Sequence, residues 1–406
     1  MMPNRPLRVC HLAYTFYEFD KRVMRYVEIL SARGDQVDVV TLRRPGCTWR
    51  ERAGAVRLYR IQRRSATEKS AWTYLLKLVW FCVKAALLVT TLQLRRRYDI
   101  VHVHNIPDFL VFVAWLPKLM GARIILDIHD IVPELHAGKF ETSSASTVFR
   151  SLVAVERLCC SFADHVIVAN HIWHDKLILR SVSSAKCSTM LNYPDLTVFK
   201  PLPGSNKGRN GRFLILYPGS LNHHQGVDVA IRAFALVRQQ MPDAEFHIYG
   251  RGQALEELIR LAHDCLLDDS VKFMESVDIG QIAAVMATAS VGVVPKRSDG
   301  FGNEAFSTKI LEFMACGVPV IVSRTRIDQH YFNERLVNFF QPADAADLAH
   351  VLLKAYRNPA DQIERIRAAQ DFSERYSWQV RSGDYRLLVD SLVAGSRYHE
   401  TAVAPL

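Results

Sequence analysis

The fold of this chain is decided by residues 291–322, VGVVPKRSDGFGNEAFSTKILEFMACGVPVIV. The short β-branched run Val291–Val294 predicts a buried strand, and a similar run at Val318–Val322 predicts a second one. Between them we expect a loop over Lys296–Asn303 and then an amphipathic helix from about Ala305. A strand–helix–strand unit of this length is typical of a parallel, doubly wound α/β sheet.

Two carboxylates bracket the predicted helix, with a lysine between them. Glu304 lies at its start and Glu312 eight residues later, which on a continuous helix is a rise of about 12 Å. Lys309 precedes Glu312 by three residues, so the two are neighbours on the helix surface. The unpaired N–H groups of a helix start suit a phosphate, and carboxylates on either side suit the hydroxyls of a sugar and a ribose. The spacing alone fits two solvated acids equally well.

Length and charge set further bounds. A chain of 406 residues is too long for one small core and indicates two domains. Residues 1–200 hold 29 Lys+Arg and 17 Asp+Glu, whereas residues 201–406 hold 22 and 24, so the basic character belongs to the N-terminal half. A basic half suits nucleic acid or an anionic membrane. No zinc-finger, RNA-recognition or homeodomain pattern is present, which favours the membrane.

The residue types also argue against several protein classes. The eight cysteines are scattered without a Cys-x-x-Cys spacing, so small buried thiols in a reducing cytosol are expected. The first strand, at Arg8–Ala13, is not followed by the G-x-G-x-x-G of dinucleotide-binding oxidoreductases. The first apolar run, Leu7–Ala13, is too short for a signal peptide.

Further motifs accompany the two glutamates. Glu304-x7-Glu312, preceded by DGFGN and followed by an apolar helix and GVPVI, resembles the signature of the retaining GT4 glycosyltransferases of the GT-B fold. Similar matches cover nearly the whole chain: LDIHDIVPE at 126–134, YPGSLNHHQGVD at 217–228, IYGRGQ at 248–253 and FMESVDIGQI at 273–282.

The resemblance implies two Rossmann-like, doubly wound domains that face each other across a cleft. The prolines of Met190–Leu202 mark a linker. We therefore expect an acceptor-binding domain at 1–195, a nucleotide-sugar-binding domain at 196–375, and a C-terminal helix at 376–406 that returns to the first domain.

The resemblance also implies roles for individual residues. Glu304 would hold the hexose hydroxyls and Glu312 the ribose, while His129 would stabilise the transferred sugar. Further donor-binding residues would be Gly219, Ser220, Gln225, Gly226, Gly250, Arg251, Ser276, Val277, Lys296, Asn303, Ala305 and Phe306. On the acceptor or cleft side we expect Tyr17, Asp20, Lys21 and Arg22.

Two positions depart from the GT4 pattern. Where such enzymes have an Arg after Gly219 and a Lys before Gly226, this chain has Ser220 and Gln225. A neutral pair cannot match a charge-assisted contact to the donor diphosphate, which is about twice as strong as a neutral one. Either other cations serve, or the protein binds its donor weakly, or it is inactive. We expect other cations to serve, with Lys309 among the catalytic residues. The candidate replacements are Lys309, Lys296, Lys21, Arg22 and Arg251.

The most apolar stretch, Trp72–Leu94, raises the question of a membrane. Ser70, Lys77, Lys84 and Thr91 recur every seven residues and would form one polar stripe on a helix. Two lysines argue against a spanning helix, so the stretch fits either a core helix or a helix in a membrane interface. The basic flanks favour the interface; they are Arg60, Arg63, Arg64 and Lys69 before it, and Arg95–Arg97 after it.

Together these patterns predict a retaining hexosyltransferase that uses a nucleotide diphosphate-sugar, UDP favoured over GDP. The acceptor would be a lipid-linked or oligosaccharide chain in bacterial surface-polysaccharide assembly. We expect a cytoplasmic protein, peripheral on the inner face of the cell membrane, with no nucleic-acid partner. No Asp-x-Asp motif lies in a suitable loop, so neither a metal nor another cofactor is expected. Two alternatives stay open: a nucleotide-sugar 2-epimerase on the same fold, and a non-catalytic membrane-associated subunit.

Overall fold

The computed structural model describes residues 5–64, 71–140, 143, 145–202, 211–396 and 398. The chain divides into two compact units. One comprises the chain up to Asn192 together with the segment from Ser382, and the other comprises Tyr193–Arg381. The observed division thus lies three residues before the expected boundary at 195, and the chain rejoins the first unit at Ser382, near the start of its last helix.

The first unit is built on an eight-stranded sheet in the order β3-β4-β2-β1-β5-β6-β7-β8. All neighbours pair in parallel except β3 and β4, which form an antiparallel pair at one edge. The strands are β1 (Arg8–Ala13), β2 (Gln36–Arg43), β3 (Arg50–Ala53), β4 (Val56–Arg63), β5 (Ile100–His104), β6 (Arg123–Ile128), β7 (His165–Val168) and β8 (Cys187–Thr189).

Helices connect these strands, as parallel pairing requires. They are α1 (Lys21–Ala32), α2 (Ala71–Arg96), α3 (Trp115–Leu119), α4 (Val132–Phe140), α5 (Thr147–Phe162) and α6 (His171–Arg180). The sequence pattern does not predict β3, since its four residues, RERA, are all exposed and do not alternate. It also misses β4, β8 and α4, which are short or lack a clear hydrophobic period.

The second unit has a six-stranded, all-parallel sheet in the order β11-β10-β9-β12-β13-β14. Its strands are β9 (Phe213–Pro218), β10 (Ala244–Tyr249), β11 (Val271–Met274), β12 (Val291–Val294), β13 (Val320–Ser323) and β14 (Asn338–Phe340). Its helices are α7 (Val227–Val237), α8 (Leu255–Asp264), α9 (Ile279–Thr288), α10 (Thr308–Ala315), α11 (Arg326–Tyr331), α12 (Ala345–Arg357) and α13 (Gln362–Arg375). A last helix, α14 (Trp378–Ala394), carries the chain back to the first unit.

The helix of the organising stretch begins later than predicted. A helix was expected from about Ala305, but α10 starts at Thr308. The residues before it form a turn in which the N–H groups of Glu304 and Ala305 both donate to the carbonyl of Phe301. Glu304 and Glu312 are therefore not joined by eight helical residues, and the expected rise of about 12 Å between them does not apply.

Helix α2 has one buried face and one exposed face. Leu78, Phe81 and Val89 are buried against the unit. The other face exposes large apolar side chains, among them Leu76, Val79, Trp80, Val83, Leu87 and Leu94, with Leu76 and Leu87 each 67% exposed. We call this set the outer face of α2. Thr73–Arg96 is long and apolar enough to cross a membrane by length and composition, and only 28% of its most apolar window is buried. The expected stripe residue Ser70 and the flanking Lys69 lie outside the described residues.

Candidate active site

A pocket of about 450 Å³ lies in the second unit, beside the carboxyl ends of β9, β10 and β11. This is the edge at which doubly wound sheets bind ligands. The lining residues are Pro218, Gly219, Ser220, Tyr249, Gly250, Arg251, Ser276, Val277, Ile282, Met286, Thr308, Lys309 and Glu312. Eight of the predicted donor-binding or catalytic residues are therefore brought together in one place: Gly219, Ser220, Gly250, Arg251, Ser276, Val277, Lys309 and Glu312.

The loops at this edge pack backbone against backbone. A Cβ on Gly250 would overlap the carbonyl oxygen of Gly219, and a Cβ on Gly226 would overlap the carbonyl oxygen of Pro295. Gly226 also has φ +66°, in the left-handed region that favours glycine. The loops after β9, β10 and β12 can therefore approach this closely only because glycine occupies these positions.

Lys309 supplies a cation directly in the pocket. A Cβ on Gly219 would meet both Cε and Nζ of Lys309, so the lysine lies on the bare backbone of that glycine. Its Nζ lies 5.6 Å from the ring centroid of Tyr217, within cation–π range. Lys309 is half-buried, and desolvation lowers its pKa, while the nearby carboxylate of Glu312 acts in the opposite direction. The described residues give Nζ no hydrogen-bond acceptor, so an anion could bind it.

The start of α10 adds hydrogen-bond donors beside Lys309. Ser307 is the N-cap residue, but its side chain does not cap the helix, and its buried hydroxyl has no hydrogen-bond partner among the described atoms. Thr308, the first helical residue, lines the pocket. The N–H groups of the first turn of a helix lack intrahelical acceptors and carry the positive end of the helix dipole, so they favour an anion.

The two neutral residues, Ser220 and Gln225, both contact the hydroxyl of one tyrosine. The hydroxyl of Tyr217 lies 2.8 Å from the carbonyl oxygen of Ser220 and 3.2 Å from Oε1 of Gln225. Ser220 lines the pocket, whereas Gln225 does not, and its amide also contacts His224 at 3.0 Å. Gln225 therefore shapes the loop before α7 through its hydrogen bonds.

Lys296 does not provide a free cation, contrary to the prediction. Its Nζ lies 2.9 Å from Asp328 and donates to the carbonyl oxygen of Ala305 at 2.8 Å. Both charged side chains are buried, and burial raises the pKa of Asp328 even though Lys296 opposes that shift. Lys296 thus fastens the turn before α10 to α11 and lies outside the pocket lining.

The turn that contains Glu304 packs against α11 next to the pocket but does not line it. Glu304 is buried, and its Oε1 lies 3.5 Å from Nη1 of Arg326. The side-chain oxygen of Asn303 accepts from the N–H of Arg326 at 2.8 Å. Phe306 packs edge-on against Tyr331, with ring centroids 4.9 Å apart. Asn303, Ala305 and Phe306 therefore position this turn, and Gly226 likewise lies outside the lining.

A second group of expected residues lies in the first unit, at the carboxyl ends of β5 and β6. The Nε2 of His129 lies 3.1 Å from Oδ2 of Asp127, and the His129 backbone N–H donates to Asn105 at 2.8 Å. The His129 side chain is 22% exposed, so a ligand can reach it. His104 contacts the same carboxylate oxygen at 3.2 Å.

Arg22 was expected to face a ligand, but it is buried in this cluster. It donates to both oxygens of Asp127, at 2.7 and 2.8 Å, and to the carbonyl oxygen of Met190 at 2.8 Å. Its guanidinium is therefore engaged, and it is not available to neutralise a diphosphate. Of its neighbours, Asp20 caps α1 by accepting from the N–H of Val23 at 3.1 Å.

Lys21 and Tyr17 remain partly exposed near the start of α1. Lys21 Nζ lies 3.6 Å from the sulfur of Met24. Burial raises the pKa of Tyr17, so its hydroxyl is protonated at neutral pH. Both side chains are polar groups that a ligand of the first unit could contact.

Comparison with known proteins agrees with this arrangement. The description "Glycosyl transferases group 1" matches residues 200–372, and "Glycosyl transferase 4-like domain" matches residues 20–192. A phosphatidyl-myo-inositol mannosyltransferase from Mycobacterium leprae is 30% identical over 300 residues, which cover 70% of this chain and 71% of that protein. The chain belongs to the GT4 family of glycosyltransferases. Other curated relatives match over about half of their own length.

Solved structures show the same GT-B fold. The sucrose-phosphate synthase from Thermosynechococcus elongatus has a TM-score of 0.78 at 20% identity, covering 97% of this chain and 100% of that chain. HepE from Anabaena, solved in complex with UDP, has a TM-score of 0.68 at 15% identity, covering 94% of this chain and 99% of that chain. The predicted fold class, with two Rossmann-like units in a GT4 glycosyltransferase, is confirmed.

Several lining residues of this GT4 pocket are not predicted from the sequence. Ile282 and Met286 stand one turn apart on α9 and read as ordinary core positions of an apolar helix. Pro218 and Tyr249 are the last residues of β9 and β10. Their position at the carboxyl ends of parallel strands is the signal that could have identified them.

Proposed function

We propose that this GT4 glycosyltransferase moves a hexose-type sugar from a UDP-sugar to a lipid-linked acceptor, with retention of anomeric configuration. The observation that carries the donor assignment is Lys309, an ammonium without a hydrogen-bond acceptor among the described residues, set against the bare backbone of Gly219 at the start of α10. Such a combination of cation, glycine loop and helix N-terminus suits a diphosphate.

The pocket residues support a particular order of donor groups. The diphosphate would bind between Gly219 and the first turn of α10, with Lys309 against its charge. Glu312 lies one turn further along α10 and would accept hydrogen bonds from the ribose. The base would lie near Ser276 and Val277, against the apolar side chains of α9. The complex of the Anabaena relative with UDP supports uridine as the first choice of nucleoside, with GDP as the second.

The chemistry follows from where charge develops. As the bond between the anomeric carbon and the diphosphate oxygen breaks, positive charge grows on the sugar and negative charge on the leaving group. Lys309 and the N–H groups of α10 would stabilise that negative charge, a preorganised electrostatic contribution. Glu304 would hold hexose hydroxyls, and His129 would stabilise the sugar. The acceptor hydroxyl would attack the face from which the diphosphate leaves and give its proton to the departing diphosphate oxygen, so the configuration would be retained without a protein nucleophile.

The outer face of α2 supports a lipid-linked acceptor at a membrane. It exposes Trp80 by 55% and Leu87 by 67%, and Lys84 lies over the Trp80 ring with its Nζ at 5.0 Å. The 3-10 helix at Asp108–Ala114 and α3 pack beside α2 and expose further apolar side chains, of which Trp115 is 48% and Leu119 76% exposed. Such a surface fits a membrane interface, with lysine and arginine reaching the headgroups.

The basic flanks of α2 are only partly available for this purpose. Arg60 lies in β4, buried between Glu18 at 2.7 Å and Glu51 at 2.9 Å, so it cannot reach a headgroup. Arg95 and Arg97 are exposed at the end of α2. Arg63, the last residue of β4, is also exposed. Anionic lipid would therefore be met by Arg63, by the C-terminal end of the helix and by Lys84. We accordingly propose a peripheral protein on the cytoplasmic face of a membrane.

Nucleotide binding and product analysis test the reaction. A thermal-shift screen with UDP, GDP and ADP should raise the melting temperature most for UDP, since a ligand of the folded state stabilises by mass action. Incubation with the UDP-sugar and lipid-linked acceptors should then yield a glycosylated lipid and UDP. Conversion of the donor sugar without any acceptor would instead identify the epimerase. Binding of UDP without turnover of any donor would favour the non-catalytic subunit.

Vesicle sedimentation tests the membrane surface. We expect the protein to pellet with vesicles containing anionic lipid, and to be released by salt, because salt screens exposed charges. Replacing Leu76, Trp80 and Leu87 with Ser should leave the fold intact and keep the protein in the supernatant. The matched control replaces Leu236, Leu266 and Ile363, which are at least 52% exposed in the second unit. Equal sedimentation of both variants would refute the outer face as the contact.

A further inference from the structure

A buried carboxylate in the first unit determines where its neighbouring imidazoles carry their protons. Asp127 is fully buried near the end of β6. Burial alone would raise the pKa of Asp127, but Arg22 and the surrounding histidines hold it well below its usual range. Asp127 is therefore ionised, and an ionised carboxylate can only accept hydrogen bonds.

The tautomers of three histidines follow from this one charge. His104 Nδ1 and His129 Nε2 lie 3.2 and 3.1 Å from Oδ2 of Asp127, so both nitrogens must carry hydrogen. Burial lowers the pKa of His104, which is neutral and has a bare Nε2. That Nε2 lies 3.1 Å from Nδ1 of His11, which must then be the donor.

We propose that Asp127 is a positioning residue, which holds His129 in the tautomer with hydrogen on Nε2 and with Nδ1 bare. Nδ1 has no hydrogen-bond partner among the described residues, and the side chain is partly exposed. The bare nitrogen would accept a hydrogen bond from a substrate hydroxyl, whereas the opposite tautomer would present an N–H group. Asn105 fixes the same residue through its backbone N–H. This inference rests on the proposed role of His129 in sugar transfer.

The same atoms invite comparison with a metal site. His104 Nδ1, Asp127 Oδ2 and His129 Nε2 are separated by 3.1–3.3 Å, and three such atoms could surround a zinc ion at about 2.0–2.1 Å. Arg22, however, donates to both oxygens of Asp127 and already balances its charge. A divalent cation would leave two uncompensated positive charges next to this buried pair, which is unfavourable. Protons account for the contacts without that cost.

Nitrogen NMR of the wild-type protein tests the tautomers directly. With 15N-labelled histidine at about pH 8.5, where an ordinary imidazole is neutral, we expect His129 as the Nε2–H form. His104 and His11 should be in the Nδ1–H form, and the signals should not change when EDTA is added. The His129→Gln and His104→Gln variants assign the resonances. An Nδ1–H form of His129, an Nε2–H form of His104, or a spectrum altered by EDTA would overturn the proposal.

Kinetics test whether Asp127 acts through His129. An amide at position 127 can donate to Nε2 and favour the opposite tautomer, so Asp127→Asn should lower kcat by about 100-fold with little change in KM. Introduced into His129→Gln, the same change should lower kcat no further, whereas a purely structural role would lower it in both backgrounds. If Asp127→Asn does not fold, the wild-type NMR result still decides. Full activity of His129→Gln with the expected NMR pattern would refute the proposed role of His129 and leave the tautomers standing.

Discussion

Replacing Lys309 with Met tests the source of the charge that would bind the donor diphosphate. Methionine keeps much of the length and apolar stem of lysine but removes the ammonium. The side chain is half-buried against Gly219 and Tyr217, and methionine can fill that space without a cavity. Because desolvation lowers the pKa of Lys309, burying its charge destabilises the folded state, so we expect the variant to be no less stable than the wild type.

The magnitude follows from one charge-assisted hydrogen bond, worth about 1.5–3 kcal/mol. Losing it should weaken UDP binding by about 13–160-fold. Uridine has no phosphate, so its affinity should be unchanged. Because desolvation lowers the pKa of Lys309, this side chain loses its charge at a lower pH than an ordinary lysine does. The affinity of the wild type for UDP should therefore begin to fall at a correspondingly lower alkaline pH.

Calorimetry with UDP and uridine, on the wild type and the variant, provides the measurement. Lys354→Met on α12 is the matched control, since Lys354 is exposed and lies outside the pocket lining. It should bind both ligands as the wild type does. An unchanged Kd for UDP in Lys309→Met, or an equal loss for uridine, would show that Lys309 does not contact the diphosphate. Arg251, which lines the pocket and is exposed, would then be the next cation to replace.

Three further outcomes are expected. Glu304→Ala should lower kcat by orders of magnitude, while Glu312→Ala should mainly raise the Kd of UDP; wild-type turnover by the first would refute its role. Gly250→Ala should abolish UDP binding, because the added Cβ would overlap the Gly219 carbonyl oxygen. Normal UDP binding by this variant in calorimetry would show that the close contact of the two loops is not required. Burial lowers the pKa of His165 to about 4. Between about pH 6.5 and 4 the unfolded chain therefore binds a proton that the folded chain does not. The free energy of unfolding should thus decrease as the pH is lowered, by about 3 kcal/mol for this site. Urea unfolding of His165→Gln should show a flatter pH dependence than the wild type; an identical dependence would contradict this assignment.

Much of the fold could be predicted because its signals are local. Buried parallel strands appear as short β-branched runs, and the strands from Val291 and Ile100 begin where the pattern places them. Edge strand β3 could not be predicted, since its exposed residues have no hydrophobic period. The start of α10 was misplaced because a turn with its own hydrogen bonds to Phe301 has the same composition as a first helical turn.

The site was harder to predict because the sequence shows which residues are charged but not which groups they contact in the folded protein. Lys296, Lys309 and Arg22 are all positively charged residues in the sequence. Only the fold shows that Lys296 is paired with buried Asp328 and Arg22 with buried Asp127, whereas Lys309 reaches the pocket. On α2, Trp80 and Phe81 are adjacent in sequence and equally apolar, yet Trp80 is 55% exposed and Phe81 is fully buried. Replacing Trp80 alone therefore tests a surface, while replacing Phe81 tests the core.

The contact between glycine loops limits how this pocket could be redesigned. Gly226 and Gly250 each face a carbonyl oxygen where a Cβ would stand, so these positions admit no larger residue unless the backbone moves. At Gly219 a Cβ would instead displace the end of the Lys309 side chain. Libraries that vary these loops to change the sugar nucleotide would mostly yield inactive chains. Productive variation is confined to positions that present side chains to the pocket, chiefly Ser276 and Val277, with Ile282 and Met286 of α9 beside them. Under the proposed function, nucleotide preference would thus be open to selection, while the backbone contacts to the phosphates would be nearly fixed.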